Sequence, residues 1–282
     1  MSVQNFVPTI WSGQVFLDFQ KATVLSGLTN RNYEGEITAF GDTVKITKVG
    51  PVTIRSYTKN STSGITVEQL NDSQTDLKID QAKYFAFSVD DIDKRQAKGD
   101  VLGGGMTEAA QGLAEDVDTF IANLYTQAGA STYMSVTVAS SDTGVLNVFG
   151  RANQLLTEMN CPKAGRKAMI SPFMEAQLVK QNVVLTNGLN PELFTEGYIG
   201  RYQGFDIYVS NNLATGSTHT ASNPVHECMF GTPASITFAN QIIETIAYRP
   251  EASFSDAVKG LNVYGGKVIQ PKALVCIETR ST

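Results

Sequence analysis

Residues 43–55 read TVKITKVGPVTIR. Val44 and Ile46 alternate with Thr43, Lys45 and Thr47, and Val52 and Ile54 alternate with Thr53 and Arg55. A period of two puts the apolar set on one face of an extended chain. The pattern returns downstream in Leu77-Lys78-Ile79-Asp80 and in Tyr84-Phe85-Ala86-Phe87-Ser88-Val89. Between the halves, residues 58–64 (TKNSTSG) form a polar tip rich in turn formers. The reading is a long two-stranded ribbon whose half-apolar face is carried by Val44, Ile46, Leu77 and Ile79. An isolated ribbon is marginal in water, so this face is expected to pack on an adjacent copy and not in the subunit's own core.

Upstream, residues 1–33 form an amphipathic lead. Phe6, Val7, Ile10, Trp11, Val15, Phe16, Leu17 and Phe19 are apolar, and Pro8 and Gly13 break the helical period before a short helix expected over Val15–Leu25. Such an arm needs a surface to lie against, with Phe6, Ile10 and Trp11 as its packing residues.

Downstream, Leu113, Val117, Phe120, Ile121 and Leu124 recur at helical spacing, with Glu115, Asp116 and Asp118 mostly between them. This predicts a helix over 107–127, with Leu113, Val117, Phe120 and Leu124 facing the subunit's own sheet. Thr107 is the expected N-cap, Glu108 suits the positive end of the dipole, and Gly103-Gly104-Gly105 is the flexible connector before it. A second helix is expected to start at Asp142 or Thr143 and to bury Val145, Val148, Phe149, Ala152, Leu155, Leu156 and Met159, with Pro162 beyond its end. Ala168-Met169-Ile170 reads as a buried strand, and Pro172 opens a third helix near 173–181. Strands follow at 205–209, entered by Gly204, and at 236–238, 242–248 and 273–277. No repeat is present, and the class is α+β.

The 282 residues are 42% hydrophobic, enough for one sizeable core or two small ones. Charged residues are only 17%, below the roughly 25% of ordinary soluble domains, with neutral polar residues in their place. That suits a surface largely covered by partners. The net charge of −5 without a basic stripe argues against tight nucleic-acid binding. It fits a container wall that does not grip a polyanion. Cys161, Cys228 and Cys276 show neither a disulfide framework nor zinc spacing and read as small buried hydrophobes. The start MSVQNFVPTIW lacks the pattern of a signal peptide. No apolar run approaches the ~18 residues of a membrane span, so the expectation is synthesis in a cytosol-like compartment and no membrane partner.

Positions that usually carry catalysis are empty. His219, His226, Glu227 and Cys228 lie close together, but their spacing matches no standard metal motif and GSTHTASNP reads as a loop running into a strand. A metal-dependent enzyme using His219, His226 and Cys228 is the rival of another class. The three glycines at 103–105 are not followed by the Lys-Ser/Thr of a phosphate cradle. Asp90, Asp91 and Asp93 sit among Lys94, Arg95 and Lys98 as a solvated, charge-mixed face. No cofactor is expected.

Taken in order, the fragments resemble a common family of tailed-phage major capsid proteins. They are Pro8-Thr9-Ile10-Trp11-Ser12, Tyr33-Glu34-Gly35-Glu36-Ile37, Gly41-Asp42-Thr43-Val44, LKIDQAKYFAFSVDDID, and NCPKAGRKAMISP with Pro162, Gly165 and Arg166. GRYQGFDIYVSNNL and EASFSDAVKGLNVYGGKVIQPKAL, with Gly260-Leu261 and Tyr264-Gly265, complete the set. The resemblance covers nearly the whole chain. It implies the Johnson fold: an N-terminal arm (1–33), an extended β-hairpin E-loop (34–90), a peripheral domain (91–142 and 241–282) with a spine helix at 107–127, and a mixed α/β axial domain (143–240). It implies a subunit that assembles into pentamers and hexamers of an icosahedral phage head around double-stranded DNA, made in the bacterial host cytoplasm. Scaffolding, portal and decoration proteins are the implied partners. Some relatives carry a long scaffolding segment that is later removed; the stretch before Phe6 has no room for one, so a separate scaffold or none is expected. Some relatives join Lys to Asn covalently, but turn chemistry explains Lys59 and Asn60 at the tip. An encapsulin-like nanocompartment shell is the nearest rival, sharing the fold but enclosing enzymes.

Overall fold

The computed structural model describes residues 25–32, 43–50, 52–56, 59, 67–90, 101–136, 144–180, 198–216, 225–251 and 254–281. Its strands are β1 (Thr43–Val49), β2 (Asp72–Lys78), β3 (Gln81–Asp90), β4 (Ala130–Val136), β5 (Arg166–Ile170) and β6 (Tyr198–Tyr202). They continue as β7 (Phe205–Val209), β8 (Val225–Gly231), β9 (Ile236–Tyr248), β10 (Ser255–Val268) and β11 (Leu274–Ser281). The helices are α1 (Val101–Asn123), α2 (Gly144–Glu158) and α3 (Pro172–Lys180). The strands form a six-stranded sheet in the order β4-β11-β8-β5-β7-β6, a three-stranded sheet β3-β10-β9, and the two-stranded ribbon β1-β2.

The six-stranded sheet is mixed, with β5–β7 and β11–β4 parallel. Helix α2 places Val145, Val148, Phe149, Ala152 and Leu156 in the core. Phe149 meets Phe205, Phe230 and Tyr202 edge to face, with ring centroids 5.4–6.1 Å apart, the geometry aromatic quadrupoles prefer. The β6–β7 hairpin turns on Gln203 and Gly204, both at positive φ (47° and 87°), as a twist-matched two-residue turn requires.

Helix α2 ends at a left-handed Asn160 (φ 59°), and the guanidinium of Arg166 closes this end. Its Nε donates to Pro162 O at 2.9 Å, its Nη2 to Cys161 O at 2.6 Å, and its Nη1 to Asn153 Oδ1 at 2.5 Å. Arg166 is among the largest fully buried side chains. Backbone carbonyls and the negative end of the helix dipole surround its charge.

Helix α1 begins earlier than its periodicity suggested. Leu102, Met106 and Ala110 extend the buried stripe N-terminally and meet Val258, with Phe85, Phe87 and Val89 packed around them. Gly103–Gly105 are therefore helical, not a connector. A Cβ on Gly105 would come within 2.9 Å of the Phe87 ring, so glycine lets helix and sheet approach. Thr107 caps nothing: its hydroxyl donates back to Gly103 O at 3.1 Å. The helix tightens into a 3-10 turn over Leu124–Gln127. Leu113, Val117 and Leu124 are buried, and Phe120 is half-buried against Tyr264, centroids 5.2 Å apart.

Strand pairing redraws three boundaries. β3, expected as the return limb of the ribbon, pairs antiparallel with β10 from Gln81↔Tyr264 to Asp90↔Ser255. β11, expected in the peripheral domain, lies inside the six-stranded sheet between β4 and β8. Residues 52–56, expected as a strand, form no ladder. The physical reason is shared: alternation marks an extended segment but not its partner.

At Gly265-Gly266, β10 passes between two other elements. A Cβ on Gly265 would strike Lys78 O and lie 2.9 Å from Ile79 Cα, while one on Gly266 would lie 3.1 Å from Phe120 and 3.4 Å from Leu124. Gly265→Ala should destabilise the unassembled subunit by about 1–3 kcal/mol through overpacking. Gly104→Ala, in open space on α1, should gain about 0.5–1 kcal/mol. Urea unfolding of both variants measures this, and equal effects would refute the crossing. Arg166→Met, which strips the donors from the α2 terminus, should cost about 1–3 kcal/mol for each buried acceptor left unpaired, with Arg166→Lys recovering only part because an ammonium lacks the planar fork.

Candidate assembly surfaces

The ribbon is not exposed where alternation suggested. Val44, Ile46, Leu77 and Ile79 are buried and form a cluster with Ala239 of β9 and Val263 of β10, with Ile269 against it. Their face therefore rests on the subunit's own three-stranded sheet, and the expectation that a single copy leaves it open is corrected. The face of that sheet supplies the partner that the ribbon lacked in isolation.

Beyond this base the ribbon carries a second apolar set that no described residue covers. Val49, Val52, Ile54, Val67 and Leu70 are all exposed, Ile54 at 96% and Val67 at 87%. The limbs stay together: Gly50 N donates to Asn71 O at 2.8 Å, and Thr53 donates through N and Oγ1 to the two carboxylate oxygens of Glu68 at 3.3 and 3.2 Å. Apart from Lys59, the tip at 58–64 lies outside the described residues, as do Phe6, Ile10 and Trp11 of the arm.

A second exposed surface is the part of the three-stranded sheet, on the face turned away from α1, that the ribbon base does not cover. Tyr84, directly opposite Leu261 in the β3–β10 ladder, is 78% exposed. Leu261 is also exposed, and Tyr248 stands opposite Ala257 on the neighbouring ladder under the Lys259 ammonium, 5.2 Å from the ring centroid. Phe254, just before β10, is 82% exposed. Surface aromatics concentrated in this way mark an interaction site more than a solvated face.

His226 and Cys228 share one face of β8, and His219 lies outside the described residues. Cys228 is sealed in the core with its thiol 3.6 Å from Thr279 Oγ1, and burial pushes its pKa up. Among the described residues no group of three or more His, Cys, Asp or Glu side chains gathers to hold a metal. All three cysteines are buried and free. Asp90 closes β3, while Asp91 and Asp93 fall outside the described residues.

Glu227, grouped by sequence with His219, His226 and Cys228, stands in a different setting. It is buried on β8, its Oε2 accepts the Cys276 thiol at 3.1 Å, and it stands directly opposite Glu278 on β11. Burial raises its pKa, and Glu278 adds to the rise, while the thiol and Arg280 oppose it. Glu278 is itself held by Arg280 Nε at 2.5 Å.

Three comparisons bear on these surfaces. A family model described as phage capsid protein matches residues 72–277. A solved structure from Mycobacterium phage Che8 is 31% identical, covers 90% of each chain, and superposes with a TM-score of 0.74. The capsid structure of cyanophage P-SCSP1u, 14% identical over 94% of this chain and 88% of that one, gives a TM-score of 0.68. The virus-like particle from Pyrococcus furiosus, 16% identical over 94% and 96%, gives 0.59. At those identities the last two show the fold. No curated protein matches.

The Glu227 geometry predicts a pH dependence. With its folded pKa above the ordinary 4.5, the native state holds this proton to higher pH than the unfolded chain. The stability it contributes is complete below the unfolded value and is lost as pH rises through the folded one. Glu227→Gln, which keeps an acceptor for Cys276, should melt higher than wild type at pH 7, with the gap closing toward pH 4. A variant that melts lower at pH 7 would mean that Arg280 outweighs burial.

Proposed function

Because this chain belongs to the phage capsid protein family, we propose that its copies close into pentamers and hexamers of an icosahedral head around double-stranded DNA. Its role is structural, as a subunit of the capsid. The observation that carries the finer reading is a ribbon rooted in its own subunit by Val44, Ile46, Leu77 and Ile79 but apolar beyond its root. A monomer gains nothing from Val49, Val52, Ile54, Val67 and Leu70 in water. Each can return roughly 25 cal/mol per Å² when a neighbour covers it. The open aromatic face around Tyr84, Tyr248 and Phe254 is a surface of matching character on the next copy. Packing one patch against a different patch is heterologous, and it closes into rings when the rotation permits.

In this reading the ribbon up to Asp80 is the extended loop. α1 with β3, β9 and β10 is the peripheral domain, and the six-stranded sheet with α2 and α3 is the axial domain. Residues 1–24, with Phe6, Ile10 and Trp11, form a strap between subunits. The chain is made in the bacterial host cytoplasm, and scaffolding, portal and decoration proteins are the further partners of the shell. The net charge of −5 keeps the wall from binding DNA tightly. The 31% identity with the phage Che8 chain over 90% of both chains supports the phage head over a nanocompartment.

Replacing residues 51–70 by a short Gly-Ser link tests this. Gly50 and Asn71 are already hydrogen-bonded, so the link closes without moving the buried base. The variant should keep its circular dichroism and melt within a few degrees of wild type. Sedimentation and electron microscopy should find no closed shells. Regular shells from this variant would sink the reading of the ribbon.

A further inference from the structure

The first described residues, 25–32, form only a 3-10 turn at Ser26–Leu28, yet they are built into the subunit. Leu25 and Leu28 are part of the main core, and Ser26 and Thr29 are buried. Leu28 N donates to Leu25 O at 3.0 Å, and the Thr29 hydroxyl donates to Ser26 O at 2.7 Å. Asn30 runs beside Thr237 of β9, donating to Ile236 O at 2.8 Å and accepting from Phe238 N at 3.0 Å. Ahead of all these, the N–H of Leu25 donates to Oδ1 of Asp118 at 3.2 Å.

Asp118 lies in the C-terminal third of α1 and is only 3% exposed. A carboxylate there is costly unless donors are supplied, and helix stability alone gives no reason to bury one. Two residues earlier, Asp116 accepts the Tyr264 hydroxyl and pairs with Lys83 at 3.3 Å. Asp116 thus ties α1 to β10 and β3, and Asp118 ties it to the root of the arm.

We propose that Asp118 is a positioning residue for assembly: a latch that fixes the point on α1 from which residues 1–24 depart toward a neighbouring copy. The acceptor oxygen is what matters, since it holds the backbone of Leu25 and with it the turn that seats Leu25 and Leu28. The proposal rests on residues 1–24 acting as an intersubunit strap.

The test uses the full-length unassembled subunit. Asp118→Ala should keep the helix and sheet signal while thermolysin cuts within residues 25–32 about tenfold faster than in wild type, and its shells should be fewer and irregular. Asp118→Asn, which retains an acceptor, should restore both. Cleavage of Asp118→Ala no faster than wild type, or Asp118→Asn cut as fast as Asp118→Ala, overturns the latch. Amide hydrogen exchange of the wild-type subunit guards against a variant that does not fold: the Leu25 amide should be protected like the core of α1, and fast exchange there overturns the proposal. Deletion of residues 1–24 tests the strap separately. Normal shells without them would refute the strap, and cleavage and exchange would still decide the latch.

Discussion

Strand β10 carries two adjacent glycines at the place where three elements meet. On one face of Gly265 lie the backbone of Lys78 and Ile79, and on the other face of the strand Phe120 and Leu124 press against Gly266. A side chain on Gly265 would strike backbone, and one on Gly266 would have to push the Phe120 ring aside. This crossing brings the ribbon base, the three-stranded sheet and the end of α1 into contact, and the hydrophobic clusters above and below follow from it. Val44, Ile46, Leu77 and Ile79 are buried because the ribbon lies directly on the sheet. The rest of the ribbon is left outside because its root cannot move away.

Four buried or half-buried charged groups are each met by a local device. The guanidinium of Arg166 has carbonyls and a helix terminus around it in place of a carboxylate, an arrangement that tolerates no weaker donor set. Asp116 takes a tyrosine hydroxyl and an exposed lysine, and burial together with that acceptor pushes the Tyr264 pKa up. Asp118 takes a backbone amide. Glu227 and Glu278 face each other across a ladder with one arginine at hand, and burial holds the Glu227 carboxyl above its ordinary range. These groups join elements far apart in sequence, and through them α1 is coupled to β3, β10 and the turn at Ser26–Leu28.

For a shell subunit the division between buried base and open tip has a direct meaning. A protein that must fold before it assembles needs a core complete in one copy, and the clusters around α1, α2 and the two larger sheets supply it. A protein that must then assemble needs apolar surface in reserve. Among the described residues, exposed apolar side chains gather on the distal ribbon and on the Tyr84–Leu261 side of the three-stranded sheet. Low charge over the whole chain leaves little to oppose close approach of copies.

Much of this was legible in the residues themselves. The stripe on α2, the strand at Ala168–Ile170, Pro172 at the start of α3, the strand after Gly204 and the helical run from Leu113 to Leu124 all follow from periodicity and from where proline and glycine stand, which are properties of a few consecutive residues. The family resemblance was legible as well, because it lies in ordered short motifs. What the chain could not disclose locally was pairing. β10, SDAVKGLNVYGGKV, shows no alternation because it is covered on both faces for much of its length, and its glycines look like loop residues until the Lys78 backbone and the rings of Phe85 and Phe120 are placed beside them. β3 and β11 have the pattern of strands but not the identity of their neighbours. The same holds for the ribbon: alternation established that Val44, Ile46, Leu77 and Ile79 share a face, while only the tertiary structure decided that this face belongs to the subunit's own core and that Val52, Ile54 and Val67 do not. Local pattern fixes which side of a strand is apolar; what covers that side depends on contacts between residues nearly two hundred positions apart, which no short window of sequence contains.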